Sequence, residues 1–324
     1  MAVGESNGTG AAQEQRYGRR EFLQWMASST AGLALTAAGC GSGAESQFKP
    51  PADLSSSVPR RVMNYLAVGV SDFAQSIDFY SKTLGIKIFE QSGEWAEPVN
   101  GWHDYQTMVW EVLGAAPPAP AARRWGSGCN LRPVLFVDDP DAVVATLAGK
   151  GVEFAGDFVD EGWRRVIEFQ DPDRIPWALG QAAGFPKSPS LEVPCVCGID
   201  IKAADLEAQV AFYSEVMGMT VARREPQILL VQDGGKAFLT LQPGGRRIES
   251  ESLDATSSGL TVDSPLYLSW MVDDLDDAVA RVTDLGAPAL KGITAHEFGR
   301  VFVTADPDGN LLKLVHYNRS HSPD

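Results

Sequence analysis

Residues 304–317 read TADPDGNLLKLVHY, and Asp306-Pro307-Asp308-Gly309-Asn310 at its centre is a turn with a mechanism. Proline fixes one φ, glycine permits a positive one, and short Asp and Asn side chains hydrogen-bond their own backbone. The apolar run that follows, Leu311 to Val315, reads as a closing β-strand. The same signal occurs earlier in the chain. Asp171-Pro172-Asp173 precedes Asp306-Pro307-Asp308 by 135 residues, and Val137-Asp138-Asp139 precedes Val272-Asp273-Asp274 by the same interval. Arg165-Val166 and Arg300-Val301 fall on that register too. Upstream, Asp72 with Phe79-Tyr80-Ser81 recurs as Asp205 with Phe212-Tyr213-Ser214, 133 residues on. Two halves of one plan therefore follow each other.

Each half divides again. A short strand-like run, Leu66 to Val70, leads into an Asp, then a segment of helical period over Phe73–Thr83, then Gly85 as its stop. Further strand-like runs follow. The same order restarts at Leu131, Val196 and Leu266, with helices expected over Pro140–Gly149 and Leu275–Leu285. The fold class is therefore α+β: four βαβββ units paired into two tandem domains. The first spans residues 61–183 and the second 194–318, with a linker at 184–193 and a tail at 319–324.

The chain has 324 residues and a formal net charge of −15. That balance excludes a nucleic-acid partner, because phosphate backbones are held by a basic footprint. The first forty residues read as an address. Gly18-Arg19-Arg20-Glu21-Phe22-Leu23-Gln24 resembles a twin-arginine export signal. Trp25 to Ala38 is its apolar segment, and at about fourteen residues it is too short to cross a bilayer. Leu35 to Cys40 resembles a lipobox, which implies cleavage and lipidation at Cys40; simple cleavage near Ala38 is the alternative. Residues 41–60 form a Gly/Ser/Pro-rich tether. The expected location is the cell envelope, with membrane contact through a lipid anchor only. Cys129, Cys195 and Cys197 remain, an odd number in an oxidising compartment. They are expected as buried thiols, with a bridge from Cys129 as the alternative.

The Phe-Tyr near the end of each first helix, the Leu/Met-Gly after it and the terminal Asp-Pro-Asp-Gly-Asn together resemble the vicinal oxygen chelate superfamily. That superfamily includes glyoxalase I, extradiol dioxygenases and bleomycin-resistance proteins. The resemblance covers residues 60–318. It implies paired modules that wrap a sheet around a concave cavity. It also implies a divalent metal held from the first and last strands.

Strand alternation assigns the faces independently. Leu66, Val68 and Val70 belong under the helices, leaving Tyr65, Ala67 and Gly69 on the cavity side. In the second unit Arg132, Val134 and Phe136 face inward. In the third Gly198, Asp200 and Lys202 do so, and in the fourth Tyr267, Ser269 and Met271. The resemblance puts metal ligands seven residues before each strand-ending Asp, where this chain has Tyr65, Arg132, Gly198 and Tyr267. The glutamates of the closing strands are replaced by Ala178, Thr240 and Lys313; in the first unit the place falls on Trp110 or Glu111. No domain then collects the three or four ligands a transition metal needs. Neither metal nor any other cofactor is expected. His103, His296, His316 and His321 read as surface or packing residues, with His296 kept as a minor candidate.

The first cavity is accordingly expected to hold Tyr65, Arg132 and Phe136, with Trp110 or Glu111 and Trp177 at its edge. Aromatic walls with one guanidinium suit a flat ligand bearing an anion; an Arg132 paired with a local acid is the bland alternative. The second is expected to hold Asp200, Lys202, Tyr267, Ser269 and Lys313. Asp200 as base, with Lys313 or Tyr267 steadying an oxyanion, would suit proton transfer; an Asp200–lysine salt bridge is the bland alternative. Three functions stand side by side. The leading one is metal-free binding of a small organic molecule. The others are a glyoxalase-like lyase or isomerase acting on a carbonyl compound, and degenerate domains kept for envelope protein contacts.

Overall fold

The computed structural model describes residues 61–92, 95–98, 109–113, 129–185, 187–192, 195–232, 238–248, 265–296 and 299–318. The export signal, Cys40, the tether, His103 and His321 lie outside them. Each unit opens with a strand: β1 (Arg61–Gly69), β5 (Leu131–Phe136), β9 (Cys195–Ala203) and β13 (Leu266–Val272). A helix follows each one: α1 (Phe73–Asp78, continued by a π-helical turn over Phe79–Thr83), α2 (Pro140–Gly149), α3 (Leu206–Glu215) and α4 (Leu275–Asp284). The Asp that ends each first strand has a local physical role. Asp72, Asp139, Asp205 and Asp274 are the N-caps of the four helices, each accepting the backbone N–H three residues on at 2.9–3.1 Å. A cap of this kind is worth about 1 kcal/mol. Gly85 and Gly218 then close α1 and α3 with φ of 81° and 68°, a conformation a side chain would strain.

The remaining strands complete each unit. They are β2 (Ile88–Ser92), β3 (Trp95–Pro98) and β4 (Val109–Leu113); β6 (Val159–Asp160), β7 (Arg164–Gln170) and β8 (Pro176–Ala182); β10 (Thr220–Arg223), β11 (Ile228–Val231) and β12 (Phe238–Pro243); and β14 (Ala289–His296), β15 (Gly299–Ala305) and β16 (Leu311–Tyr317). Together with the opening strands they form two eight-stranded sheets. The first runs β14-β15-β16-β13-β1-β4-β3-β2 and the second β10-β11-β12-β9-β5-β8-β7-β6. The antiparallel junctions β1–β13 and β5–β9 join units of opposite halves. Each concave face is thus shared between the two tandem domains.

The helix side ties the units the other way. Tyr80 donates to Asp171 at 2.6 Å, and Tyr213 donates to Asp306 at 2.9 Å. Asp173 accepts from the backbone of Ser71 at 3.0 Å, as Asp308 does from Ala204 at 2.9 Å. The repeated Phe-Tyr and Asp-Pro-Asp signals are therefore two ends of one clasp inside each half. Burial pushes the Asp306 carboxyl up to about 6, against the lowering effect of its Asn310 and Tyr213 donors.

The large core cluster holds Leu66, Val68 and Val70, Leu135 and Val137, Ile199 and Ile201, and Leu268, Trp270 and Val272, the faces expected under the helices. Trp177 belongs to this core, its ring 6.0 Å from that of Tyr80, rather than to a cavity edge. His316 lies with its Nδ1 3.2 Å from Val272 O. The Cys129 thiol is buried and reaches Leu131 O at 3.0 Å.

Two concave faces as the candidate functional site

The sheet order redistributes the expected cavity residues. Tyr65, Tyr267, Ser269 and Lys313 belong to the first sheet, and Arg132, Phe136, Asp200 and Lys202 to the second. The grouping of Tyr65 with Arg132 is therefore corrected, as is that of Asp200 with Tyr267 and Lys313. A candidate base on one sheet cannot serve a lysine and tyrosine on the other. The cause is physical: alternation fixes which face a residue takes, while the partner of each opening strand is fixed by the pairing of units across halves.

In the first sheet, β1 and β4 run parallel with Leu66 opposite Trp110 and Ala67 opposite Glu111. Ala67 belongs to the concave cluster and Leu66 to the helix-side core. The register thus gives Glu111, rather than Trp110, the place that Ala178, Thr240 and Lys313 hold in the other units, opposite Val134, Asp200 and Ser269 respectively. Among the described residues this face carries an apolar cluster, with Ala67, Val301, Val303, Leu311 and Val315 packed beside Tyr267. Lys313 is half-buried, and its Nζ lies 3.9 Å from the Tyr267 ring centroid. Cation–π geometry of this kind holds an ammonium over an aromatic face. Ser269 is buried next to it. Thr294 and the exposed His296 are 3.1 Å apart on the edge strand β14.

The second face is filled by charge and rings. Asp200 is fully buried. One of its oxygens accepts from Arg132 at 2.7 and 3.1 Å and the other from Arg164 at 2.6 Å. Arg132 also reaches Glu168 at 3.0 Å, and Arg164 reaches Glu161. Burial alone would raise the Asp200 carboxyl, but the guanidiniums of Arg164 and Arg132 outweigh it and hold it below the ordinary aspartate range. Burial likewise opposes the charge on Arg164, and Asp200 and Glu161 raise it above the ordinary value. The bland alternative for Arg132 is thus the one realised, while Asp200 is paired with arginines. Phe136, Phe185, Phe238 and Trp163 close over these groups, with ring centroids 4.9–6.2 Å apart. Lys202 is half-buried further along β9, opposite Gln242.

Arg164, Glu161 and Trp163 escaped the sequence reading. One signal was available. Arg165 and Arg300 match across halves, each making a bidentate pair with an Asp of the preceding helix, but the residue before them changes from Arg164 to Gly299. A charge gained at a single repeat position marks a place where the copies have diverged.

The comparisons with known proteins agree with this architecture. Residues 62–179 match the Glyoxalase/Bleomycin resistance protein/Dioxygenase superfamily and residues 198–315 match the Glyoxalase-like domain. The chain is therefore built from two tandem glyoxalase-type domains of the vicinal oxygen chelate superfamily. Glyoxalase I from Zea mays is similar in structure, with a TM-score of 0.59 at 17% identity over 80% of this chain and 93% of that one. A putative dioxygenase from Bacillus subtilis gives 0.55 at 12% identity, over 79% and 85%. At these identities the likeness shows the fold. No curated protein sequence matches the chain.

The superfamily's metal can be tested against the residues present. On the second face its places hold Arg132, Gly198, Ala178 and Thr240, none of them a histidine or carboxylate, and the neighbouring Asp200 is already taken by two guanidiniums. On the first they hold Tyr65, Tyr267 and Lys313, and the strand register gives the fourth to Glu111. Among the described residues no group of three His, Cys, Asp or Glu is placed to hold a metal ion. This donor set does not fit a divalent metal.

Proposed function

We propose that the chain binds a small organic molecule carrying an anionic group on the concave face of the first sheet, without a divalent metal. The carrying observation is Lys313, held 3.9 Å from the Tyr267 ring on a face that also carries Val301, Val303, Leu311 and Val315. An oriented ammonium at the floor of an apolar groove supplies one charge-assisted contact and a large hydrophobic surface, which suits an aromatic or apolar carboxylate. With Asp200 tied to two arginines on the other sheet, the proton-transfer set of the lyase reading is not assembled, so binding is favoured over catalysis.

The same proposal includes export by the twin-arginine route and anchorage through a lipid on Cys40. Mass spectrometry of compounds released from the purified mature protein tests the binding role. An organic acid retained by the wild type and lost from Lys313→Ala supports it. Equal retention by both proteins contradicts it. Replacement of Cys40 by serine is expected to move the protein out of the membrane fraction.

A further inference from the structure

We propose that the concave face of the second sheet holds a separate binding site for a neutral, planar carbonyl compound, formed by Arg164, Thr240 and Gln242 beneath the ring cluster. Arg164 Nη2, Thr240 Oγ1 and Gln242 Nε2 are buried and have no hydrogen-bond partner among the described residues. Thr240 and Gln242 alternate on β12 and so share a face, and Thr240 is the register partner of Asp200. Arg164 reaches the same carboxylate through Nη1. Two spare donors, on Arg164 and Thr240, therefore sit at Asp200, whose own oxygens already accept three N–H groups, and a third, on Gln242, follows two residues along the same face of β12. Buried donors without acceptors oppose folding and are retained where something else supplies the acceptor.

Charge decides what that acceptor is. Arg132 and Arg164 face Asp200, Glu161 and Glu168, so the cluster carries one net negative charge when ionised. A second buried anion would be repelled, whereas a neutral carbonyl oxygen can accept from two of these donors through its two lone pairs. The walls select a flat body. Phe136 and Phe238 stack at 5.7 Å, and a Cβ at Gly198 would stand 2.7 Å from the Phe238 ring, so this glycine is what lets the ring lie against β9. Phe185 and Trp163 are the half-buried members of the cluster, on turns that include Gly184 and Gly162, both with φ near 80°. Binding requires these two rings to swing aside, so that the ligand's ring takes the place of Phe185 against Phe238.

The test uses acetophenone, with benzoate and ethylbenzene as comparators of similar size, in the Lys313→Ala background that silences the other face. Acetophenone is expected to bind saturably by calorimetry, with its carbonyl stretch lowered on binding, and both comparators to bind at least about tenfold more weakly. Thr240→Val keeps the side-chain volume. It is expected to leave the melting temperature of the unliganded protein unchanged or higher, while weakening acetophenone by about tenfold and reducing the infrared shift. Gln242→Met is expected to act in the same direction. Absence of saturable acetophenone binding, or equal binding of ethylbenzene, overturns the proposal. So does a Thr240→Val variant that loses stability as though a satisfied hydroxyl had been removed.

Discussion

The two concave faces descend from one repeated plan, and they differ most where the superfamily's metal would sit. On the second face a buried carboxylate between two guanidiniums fills the centre, and four aromatic rings cover it. On the first, the corresponding strands carry valines and leucines around Tyr267 and a half-buried Lys313. The superfamily's metal places are filled in two ways, on the second face beside an internal charge pairing and on the first with a lysine among them. The comparison teaches that one repeated fold can carry two concave faces of very different charge and polarity.

The largest expected effect lies in the ion cluster. Asp200→Ala leaves two guanidiniums buried without their shared carboxylate and is expected to cost about 3–5 kcal/mol in urea unfolding. Joint replacement of Arg132, Asp200 and Arg164 by Met, Leu and Met is expected to recover much of that loss, since no charge is then stranded. A triple variant as unstable as Asp200→Ala would mean that rigid geometry, rather than stranded charge, sets the cost.

The next effect concerns pH and the clasp on the helix side. Asp306 has its carboxyl raised from 3.8 to about 6 in the folded protein. The folded state therefore holds the proton more tightly than the unfolded chain. Its contribution is fully present below pH 3.8 and lost as pH rises through about 6, a change on the order of 3 kcal/mol. Asp200 has the opposite sign. Its carboxyl is depressed, so its contribution is present above the ordinary aspartate range and lost as pH falls through the folded-state value. Urea unfolding followed from pH 3 to 8 should resolve the two windows. Tyr213→Phe removes a donor that lowers the Asp306 carboxyl, so the upper window should move to higher pH, with a loss of about 1–2 kcal/mol at neutral pH. An unmoved window would contradict the assignment to Asp306.

Lys313→Ala is expected to be the mildest change for stability, within about 1 kcal/mol, because the side chain is half-exposed and rests on the Tyr267 ring. Its effect on binding is expected to be large. That separation distinguishes a binding residue from a structural one.

Much of the fold was legible in the sequence because its signals are local. Asp72, Asp139, Asp205 and Asp274 announce their helices through a cap made three residues away. Alternation placed Leu268, Trp270 and Val272 under the helices and Tyr267 on the other side. What stayed hidden depends on contacts between distant strands. Nothing in β1 or β5 states that β13 and β9 are their neighbours, since all four opening strands present similar apolar edges. Tyr65 and Arg132 were grouped wrongly for that reason. Arg164 was missed because it meets Asp200 from the far side of the curled sheet, a contact without sequence period. The choice between Trp110 and Glu111 needed one strand register, Ala67 against Glu111, which only pairing supplies.

The most direct test of the central claim is calorimetric titration of benzoate into the mature protein after exhaustive chelator treatment, run alongside Lys313→Ala. Saturable binding to the chelator-treated wild type, weakened at least about tenfold in Lys313→Ala, is the predicted result. Binding that disappears with the metal and returns when a divalent ion is restored, or that Lys313→Ala leaves intact, would contradict it.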